Sequence, residues 1–470
     1  MFQFLHLLRR RSQQRVIVAI VTLILFITLI TVHYRNPEYS EILGDHVTYY
    51  HGKVKEYTSD KLSGLYSSAF DSSSSNSLEA KLEIIDMLDK PALKQELSPV
   101  EQTREEFIAE RHQGYSNLFT KMITEPKGLQ LTKIGDSPDQ PYELANATFV
   151  SLVRNSELRA VISTITQIES TFNNKYHYPY VFLNDETFSD QFKEKILKLL
   201  PNSKVEFGVI NREDWNKPSN IDLAKEEEGV KALEDAGVGY SAMLSYHNMC
   251  RYYSGGFYKH ELMQKYRYYW RVEPGVKYFC DIEYDLFKFM HDNNKVYGFV
   301  IALYDSPESV KSLWPTTVEF LKQNPEYIHV NSAHAWLREN LQNPSNYERA
   351  HGYSTCHFWS NFEIADMDFY RQPAYSSWME HLEKAGGFYY ERWGDAPVHS
   401  VGVGLFADKK DIHWFRDIGY FHPPYYNAPL REKGKCLKMP APGTFAGGGL
   451  KDQDCLYNWV NMAMGEDDHY

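Results

Sequence analysis

Between Ala147 and Ile210 the chain alternates short apolar runs with helical patterns, and this alternation restricts the possible folds more than any other feature. Ala147 to Val153 (ATFVSLV) reads as a strand that stops at Arg154-Asn155. Glu157 to Thr171 follows as an amphipathic helix with Leu158, Ile162, Ile165 and Ile168 on one face. Tyr180 to Leu183 then reads as strand, Phe188 to Leu200 as helix and Val205 to Ile210 as strand. Parallel neighbours need crossover helices, so a β-α-β-α-β order predicts an α/β fold. Its parallel sheet is covered by helices and binds ligand at the carboxyl ends of its strands.

A later strand carries the chemistry. Tyr268 to Val272 is aromatic and β-branched, and it breaks off at Glu273-Pro274-Gly275, where proline removes a ladder donor and glycine permits a turn. A lone carboxylate at a strand's carboxyl end is well placed to ligate a hard divalent cation carrying a diphosphate. Asp281, Glu283 and Asp285 follow at alternate positions and read as the solvated face of the next element. Arg154, just past the first strand, and Arg271, before Glu273, are candidates for gripping a nucleotide; Arg154, as a lone arginine, also has an ordinary structural reading. No Gly-x-Gly-x-x-Gly follows the first strand, and the sequence holds no Walker loop.

With 470 residues, 43% of them hydrophobic, the chain can bury a large core. Its net charge of -12 argues against nucleic acid, because a phosphate backbone rewards clustered lysine and arginine. The 35 tyrosines and 9 tryptophans offer flat amphipathic rings that suit sugar faces, although most must serve packing.

At the amino terminus Arg9, Arg10, Arg11 and Arg15 precede an uncharged apolar run from Val16 to Val32. This is at the short end of what crosses a bilayer as a helix. The basic side stays in the cytosol, so the reading is a cytosolic tail (1–15), a membrane anchor (16–32) and a lumenal remainder. A cleaved signal peptide is the alternative, but the run is longer than a usual signal core and no small-x-small site follows. Residues 33–124 read as stem: serine-rich around Ser72 to Ser75, then charged and helical with Leu78, Leu82, Ile85 and Leu88 on one stripe, a helix that packs either loosely or against the main domain. Pro126, Gly128, Gly135, Pro138 and Pro141 punctuate a boundary, and the catalytic-size domain is expected over 140–470. A chain starting near Leu129 is therefore expected to fold.

Two further stretches are rich in polar aromatics. Tyr353 to Asp368 holds Glu363 between Phe362 and Ile364, a carboxylate that is either a paired core group or a reactive one. Phe388 to Asn427 offers Asp395, His399, His413 and His422, the last followed by two prolines. No His-x-x-x-His or Cys-x-x-Cys spacing occurs, so zinc is not indicated. Of the five cysteines, Cys436 and Cys455 flank a Gly- and Pro-rich loop and are a reasonable pair; at least one cysteine is left over.

The segments YHNMCRYYSGGFY, YYWRVEPGVKYFCDIEYD, CHFWSNFEIADMDFYR and GGFYYERWGDAPVHSVGVGLF with GYFHPPYYN closely resemble the fungal α-1,2-mannosyltransferase family, glycosyltransferase family fifteen. The resemblance implies a type II Golgi protein with one GT-A domain, a Rossmann-like nucleotide-sugar-binding fold with a mixed, mainly parallel sheet. It also implies a GDP-mannose donor, a mannosylated glycan or glycoprotein acceptor, Mn2+ as cofactor and retention of anomeric configuration. Carried over by motif, Glu273 in VEP and His422 in GYFHPPY resemble the metal ligands, and Glu363 in SNFEIAD resembles the nucleophile. Tyr246 in SYHNMC and Asp395 in WGDAP match positions that contact donor or acceptor. Gly275 departs from the family, where a polar residue is common, and leaves one ligand from this turn. His399 is an alternative metal ligand, but the family pattern favours His422. Mannosylphosphate transfer to N-glycans and a non-catalytic Golgi sugar-binding subunit are the rival readings; intact Glu273, Glu363 and His422 weigh against the second.

Overall fold

Both faces of the central sheet are covered, which is why its strands read as nearly unbroken apolar runs. In the computed structural model, the described residues are 78–90, 116–136, 141–432 and 453–464, with scattered residues between these stretches. The tail, the anchor and the first part of the expected stem lie outside them. Among the described residues no helix is long and apolar enough to cross a membrane.

The strands of the central sheet are β1 (Ala147–Leu152), β2 (Tyr180–Asn184), β3 (Val205–Val209), β4 (Tyr268–Arg271), β5 (Tyr297–Phe299), β6 (Glu363–Asp366) and β7 (Ile412–Trp414). Their spatial order is β7-β5-β6-β4-β1-β2-β3. Every neighbouring pair is parallel except those involving β6, which runs against both β4 and β5. The expected α/β class with a mixed, mainly parallel sheet is thus observed. Alternation along each strand separates two cores. Phe149, Tyr180, Phe182, Trp270 and Ile364 face one side. Val150, Val181, Leu183, Tyr269 and Ala365 face the other.

The expected first helix is present as Leu158–Ile168, followed by one wider turn through Asn173. Its buried face centres on Val161, Ile165 and Ile168. Leu158 and Ile162 are only half-buried, so the stripe is rotated by about one residue from the expected face. Of the alternating acids, Asp281 and Glu283 are exposed as expected of a solvated face, and Asp285 departs from it. Glu283 pairs with Arg431 and Lys435. Asp285 is fully buried, caps the helix Leu286–Asp292 and accepts hydrogen bonds from Tyr142 and Tyr178 at 2.8 and 2.7 Å.

A smaller antiparallel sheet runs from Lys277–Tyr278 through Tyr420–His422 and Tyr425–Ala428 to Gly443–Thr444. The disulfides are Cys280–Cys436 and Cys356–Cys455, with Cys250 free and buried. The expected Cys436–Cys455 pair is therefore corrected. Cys436 lies beside Cys280 as a β-bridge. Cys455 opens the helix Leu456–Met462, whose Trp459 packs edge-on to Phe358, two residues from Cys356.

The helix Leu78–Asp89, placed in the stem by sequence, buries Ile84, Ile85 and Leu88. Its core neighbours include Trp314 and Val318 of the helix Leu313–Gln323, and the Trp314 indole donates to the Leu88 carbonyl at 3.4 Å. Leu88→Ala should therefore cost about 2–3 kcal/mol. A chain starting near Leu129 should melt below one starting at Asn76; equal melting temperatures would show that this helix adds nothing to the domain.

Candidate active site

The chain lays β2 and β3 on one side of β1 and then returns to place β4 on the other. That reversal opens a crevice at the carboxyl ends of β1 and β4, where open α/β sheets bind ligand. β4 delivers Arg271 and Glu273 to this edge. Gly275 completes the turn at φ +93°, a left-handed conformation that glycine adopts without cost, and its N–H donates to Thr164 Oγ1 at 3.0 Å. Because β6 runs the opposite way, its first residue reaches the edge where β4 and β5 end. Glu363 pairs with Phe299, and Ile364 with Trp270. The smaller sheet brings His422 to the same place.

Glu273 and His422 meet directly, Oε1 to Nε2 at 3.2 Å. The other imidazole nitrogen, Nδ1, donates to the Pro423 carbonyl at 3.0 Å, and Trp359 packs against the ring at 4.4 Å. Burial works against an ionised Glu273, but the His422 hydrogen bond and the Arg271 charge outweigh it and hold the carboxyl below its usual value. Burial likewise opposes a charged His422, yet its contacts with Glu273 raise its pKa. The pair fits a divalent cation. With Nδ1 committed to a carbonyl, loss of one proton leaves a lone pair on Nε2 aimed at a carboxylate oxygen, the tautomer that metal-bound histidines adopt. Among the described residues no group of three or more His, Cys, Asp or Glu could hold a metal, so this would be a two-residue site open to phosphate oxygens and water.

Behind this pair lies a sealed polar layer. Arg271 is 5% exposed and lies between three carboxylates. It bonds Asp395, stands 3.5 Å from Glu273 and 4.0 Å from Glu363, and stacks on Tyr253 at 3.8 Å. Arg271 and Ser360, at 2.7 Å, both donate to Asp395 Oδ2. Burial raises the Asp395 pKa, but Arg271, His399 and Ser360 outweigh it and keep the carboxyl below its usual value. Glu363 is 0% exposed. Its Oε2 accepts from Tyr297 at 2.8 Å and faces His399 Nδ1 at 2.9 Å; its Oε1 has no hydrogen-bond partner.

Asp395 and His399 lie four residues apart on the helix Asp395–Phe406, so both point at this layer. Every residue of that helix is buried. His399 is no metal ligand: Glu363 occupies one nitrogen and the Tyr253 carbonyl, at 3.0 Å, the other. His413, too, is buried among Phe289 and Phe415, away from this cluster, and burial lowers its pKa.

The remaining candidates differ in how they relate to this cluster. Tyr246 stacks on Tyr240 at 4.7 Å and accepts from Arg392 at 3.3 Å; Arg392 is held in turn by Asp305. Arg154 is largely exposed at the end of β1 and pairs with Glu157 at 3.1 Å. Arg271, a candidate for the nucleotide, pairs with Asp395 in the acidic layer and lies 3.5 Å from Glu273. Sequence reasoning missed Tyr297, Tyr253 and Ser360 as site residues. Nothing distinguishes these tyrosines from the rest, whereas the four-residue spacing of Asp395 and His399 was a readable signal.

Residues 96–464 match the family model described as glycolipid 2-alpha-mannosyltransferase. The O-glycoside alpha-1,2-mannosyltransferase omh1 of Schizosaccharomyces pombe is 47% identical over 298 residues, 63% of this chain and 74% of that protein. The X-ray structure of the mannosyltransferase Ktr4p from Saccharomyces cerevisiae in complex with GDP is 45% identical, with a TM-score of 0.78 over 83% of this chain and 98% of that one. The Mn/GDP form of core-mannan synthase A from Aspergillus fumigatus is 44% identical, with a TM-score of 0.69 over 73% of this chain and 92% of that one. A sheet-edge site of this composition, a fold shared at that level and a family match spanning most of the sequence agree: the chain belongs to the glycolipid 2-alpha-mannosyltransferase family.

Proposed function

We propose that this chain is a retaining α-1,2-mannosyltransferase that moves mannose from GDP-mannose to mannose on O-linked or N-linked glycans. It is proposed to use Mn2+ in a GT-A domain and to work in the Golgi lumen behind an anchor formed by residues 16–32. The observation that carries the reading is the convergence of Glu273, His422 and Glu363 on one sheet edge, joined through Arg271. The GDP complex of Ktr4p and the Mn/GDP form of core-mannan synthase A support the donor and the metal.

Glu273 Oε1 and His422 Nε2 would hold the cation, which when bound supplies a Lewis acid against the charge on the leaving diphosphate. The charge of Arg271 adds to the field at that end of the donor. The bond from the anomeric carbon to the phosphate oxygen breaks, and its electron pair leaves with GDP. Glu363 Oε1, the carboxylate oxygen without a hydrogen bond, answers the developing positive charge from beneath the sugar, as a nucleophile or as a counter-charge. The acceptor hydroxyl attacks from the donor's face and passes its proton to the departing phosphate oxygen, so the configuration is retained. Tyr246 and Arg392 form an adjoining polar wall that suits a sugar acceptor.

The test is incubation of the protein with GDP-mannose, Mn2+ and a set of α-mannosides. The expected product is heavier by one mannose, linked α-1,2 and sensitive to a linkage-specific mannosidase. A product heavier by mannose plus phosphate would reassign the chain to mannosylphosphate transfer, and an inverted linkage would remove Glu363 from its assigned role.

A further inference from the structure

His399 is enclosed completely, and both of its ring nitrogens are engaged with groups of known polarity. The Tyr253 carbonyl, at 3.0 Å from Nε2, can only accept, so Nε2 carries a hydrogen. Tyr253 lies in the last turn of the helix Leu244–Gly255, where carbonyls lack helical partners, and His399 caps this one. A helix's carboxyl end also favours a cation. On the other side Nδ1 meets Glu363 Oε2 at 2.9 Å, and the same oxygen already accepts from Tyr297 at 2.8 Å. With Nε2–H committed, a neutral ring would turn a lone pair toward a carboxylate oxygen, so one proton must be shared between Nδ1 and Oε2.

We infer that His399 is a positioning residue for the transfer reaction: together with Tyr297 it pins Glu363 Oε2 and keeps the shared proton there, so that the carboxylate offers Oε1 alone to the sugar. This rests on the proposed role of Glu363 and says how that role is prepared. Two observations agree with it. Oε1 is the oxygen left without a hydrogen bond, and burial, which lowers the His399 pKa, is outweighed by its attraction to Glu363. The rest of the His399 surroundings are aromatic: Tyr370 stacks at 5.1 Å, and Phe257 and Tyr375 pack at 6.3 and 6.5 Å. These rings fix its plane; the other charges that act on it are Asp395, which favours its charged form, and Arg271, which opposes it.

Two replacements separate the functional bond from the structural one. His399→Gln places an amide where Nε2 was, keeping the cap on Tyr253 and removing the donor to Glu363. His399→Asn places its amide near Nδ1 and keeps the donor while giving up the cap. The expected result is that the Gln variant loses about a hundredfold in kcat with an unchanged KM for GDP-mannose, whereas the Asn variant recovers at least tenfold of that loss. Added to Glu363→Gln, the His399→Gln change should lower the residual rate no further, because a group acting through Glu363 has nothing left to act through. If both variants lose activity in proportion to their folded fraction, or if His399→Gln lowers the rate equally in the Glu363→Gln background, His399 is structural and the inference is overturned. A Glu363→Gln enzyme that transfers mannose at close to the parent rate would overturn the role of Glu363 itself, a separate outcome from either.

Discussion

Glu363→Gln should lower mannose transfer by about three orders of magnitude while leaving the melting temperature and GDP-mannose affinity close to those of the parent, on the scale of losing a nucleophile or its equivalent charge. The fold is expected to tolerate the change because of its hydrogen-bond surroundings. When Glu363 becomes an amide, its nitrogen can take the Oε2 position and donate one N–H to Nδ1 of a neutral His399 and the other to the Tyr297 hydroxyl oxygen. No buried charge is stranded, so the usual penalty of about 3–5 kcal/mol for breaking a buried ion pair is avoided. What disappears is negative charge beneath the sugar. Glu363→Asp should also be poor, since it withdraws the carboxylate by about one methylene, more than near-attack geometry tolerates. Donor affinity, melting temperature and rate measured on one preparation decide the matter; a loss of rate explained by unfolding returns Glu363 to the core.

Glu273→Gln is expected to cost a comparable factor by a different route. The amide keeps nearly the same shape and can still meet His422, and Arg271 keeps Asp395, so the fold should survive. A neutral oxygen, however, is a far weaker ligand for a hard dication, and with only one imidazole beside it the site has little in reserve. Activity should fall by about three orders at ordinary manganese concentrations and recover only in part as the metal is raised. His422→Ala should move the manganese requirement in the same direction. Near-normal turnover of the Gln variant at saturating manganese would remove Glu273 from the metal site.

Much of this was legible because it is local. The strand and helix runs from Ala147 to Val209 follow from alternation and chain reversal. The end of β4 at Glu273-Pro274-Gly275 could be read from residues with no place in a ladder. The motif resemblance identified Glu273, His422 and Glu363, and they do converge. What was illegible is what depends on pairing across long sequence separations. Nothing near Glu363 reveals that it starts the antiparallel strand, that Tyr297 lies 66 residues before it or that His399 lies across from it. Arg271 was read only as a candidate for the donor nucleotide, because its pairing with Asp395, 124 residues away, cannot be placed from sequence. The cysteines failed in the same way: Cys436 and Cys455 are neighbours in sequence, and their partners are brought in by the sheets. Trp314 and Val318, which cover the helix Leu78–Asp89, are more than 200 residues beyond it, so that helix looked like stem.

The enclosure of Glu363 bears on selectivity between competing nucleophiles. Water outnumbers every sugar hydroxyl in solution, and a reactive mannosyl group held against an open carboxylate would be spent on it. A carboxylate with no exposed surface meets only molecules that fit the crevice while it is formed, so a bound acceptor competes by position and not by abundance. If Glu363 acts as proposed, loosening the packing of Arg271, Asp395 and Tyr253 beside it should admit water and raise futile donor hydrolysis relative to transfer, a glycosidase-like leak reached without replacing Glu363.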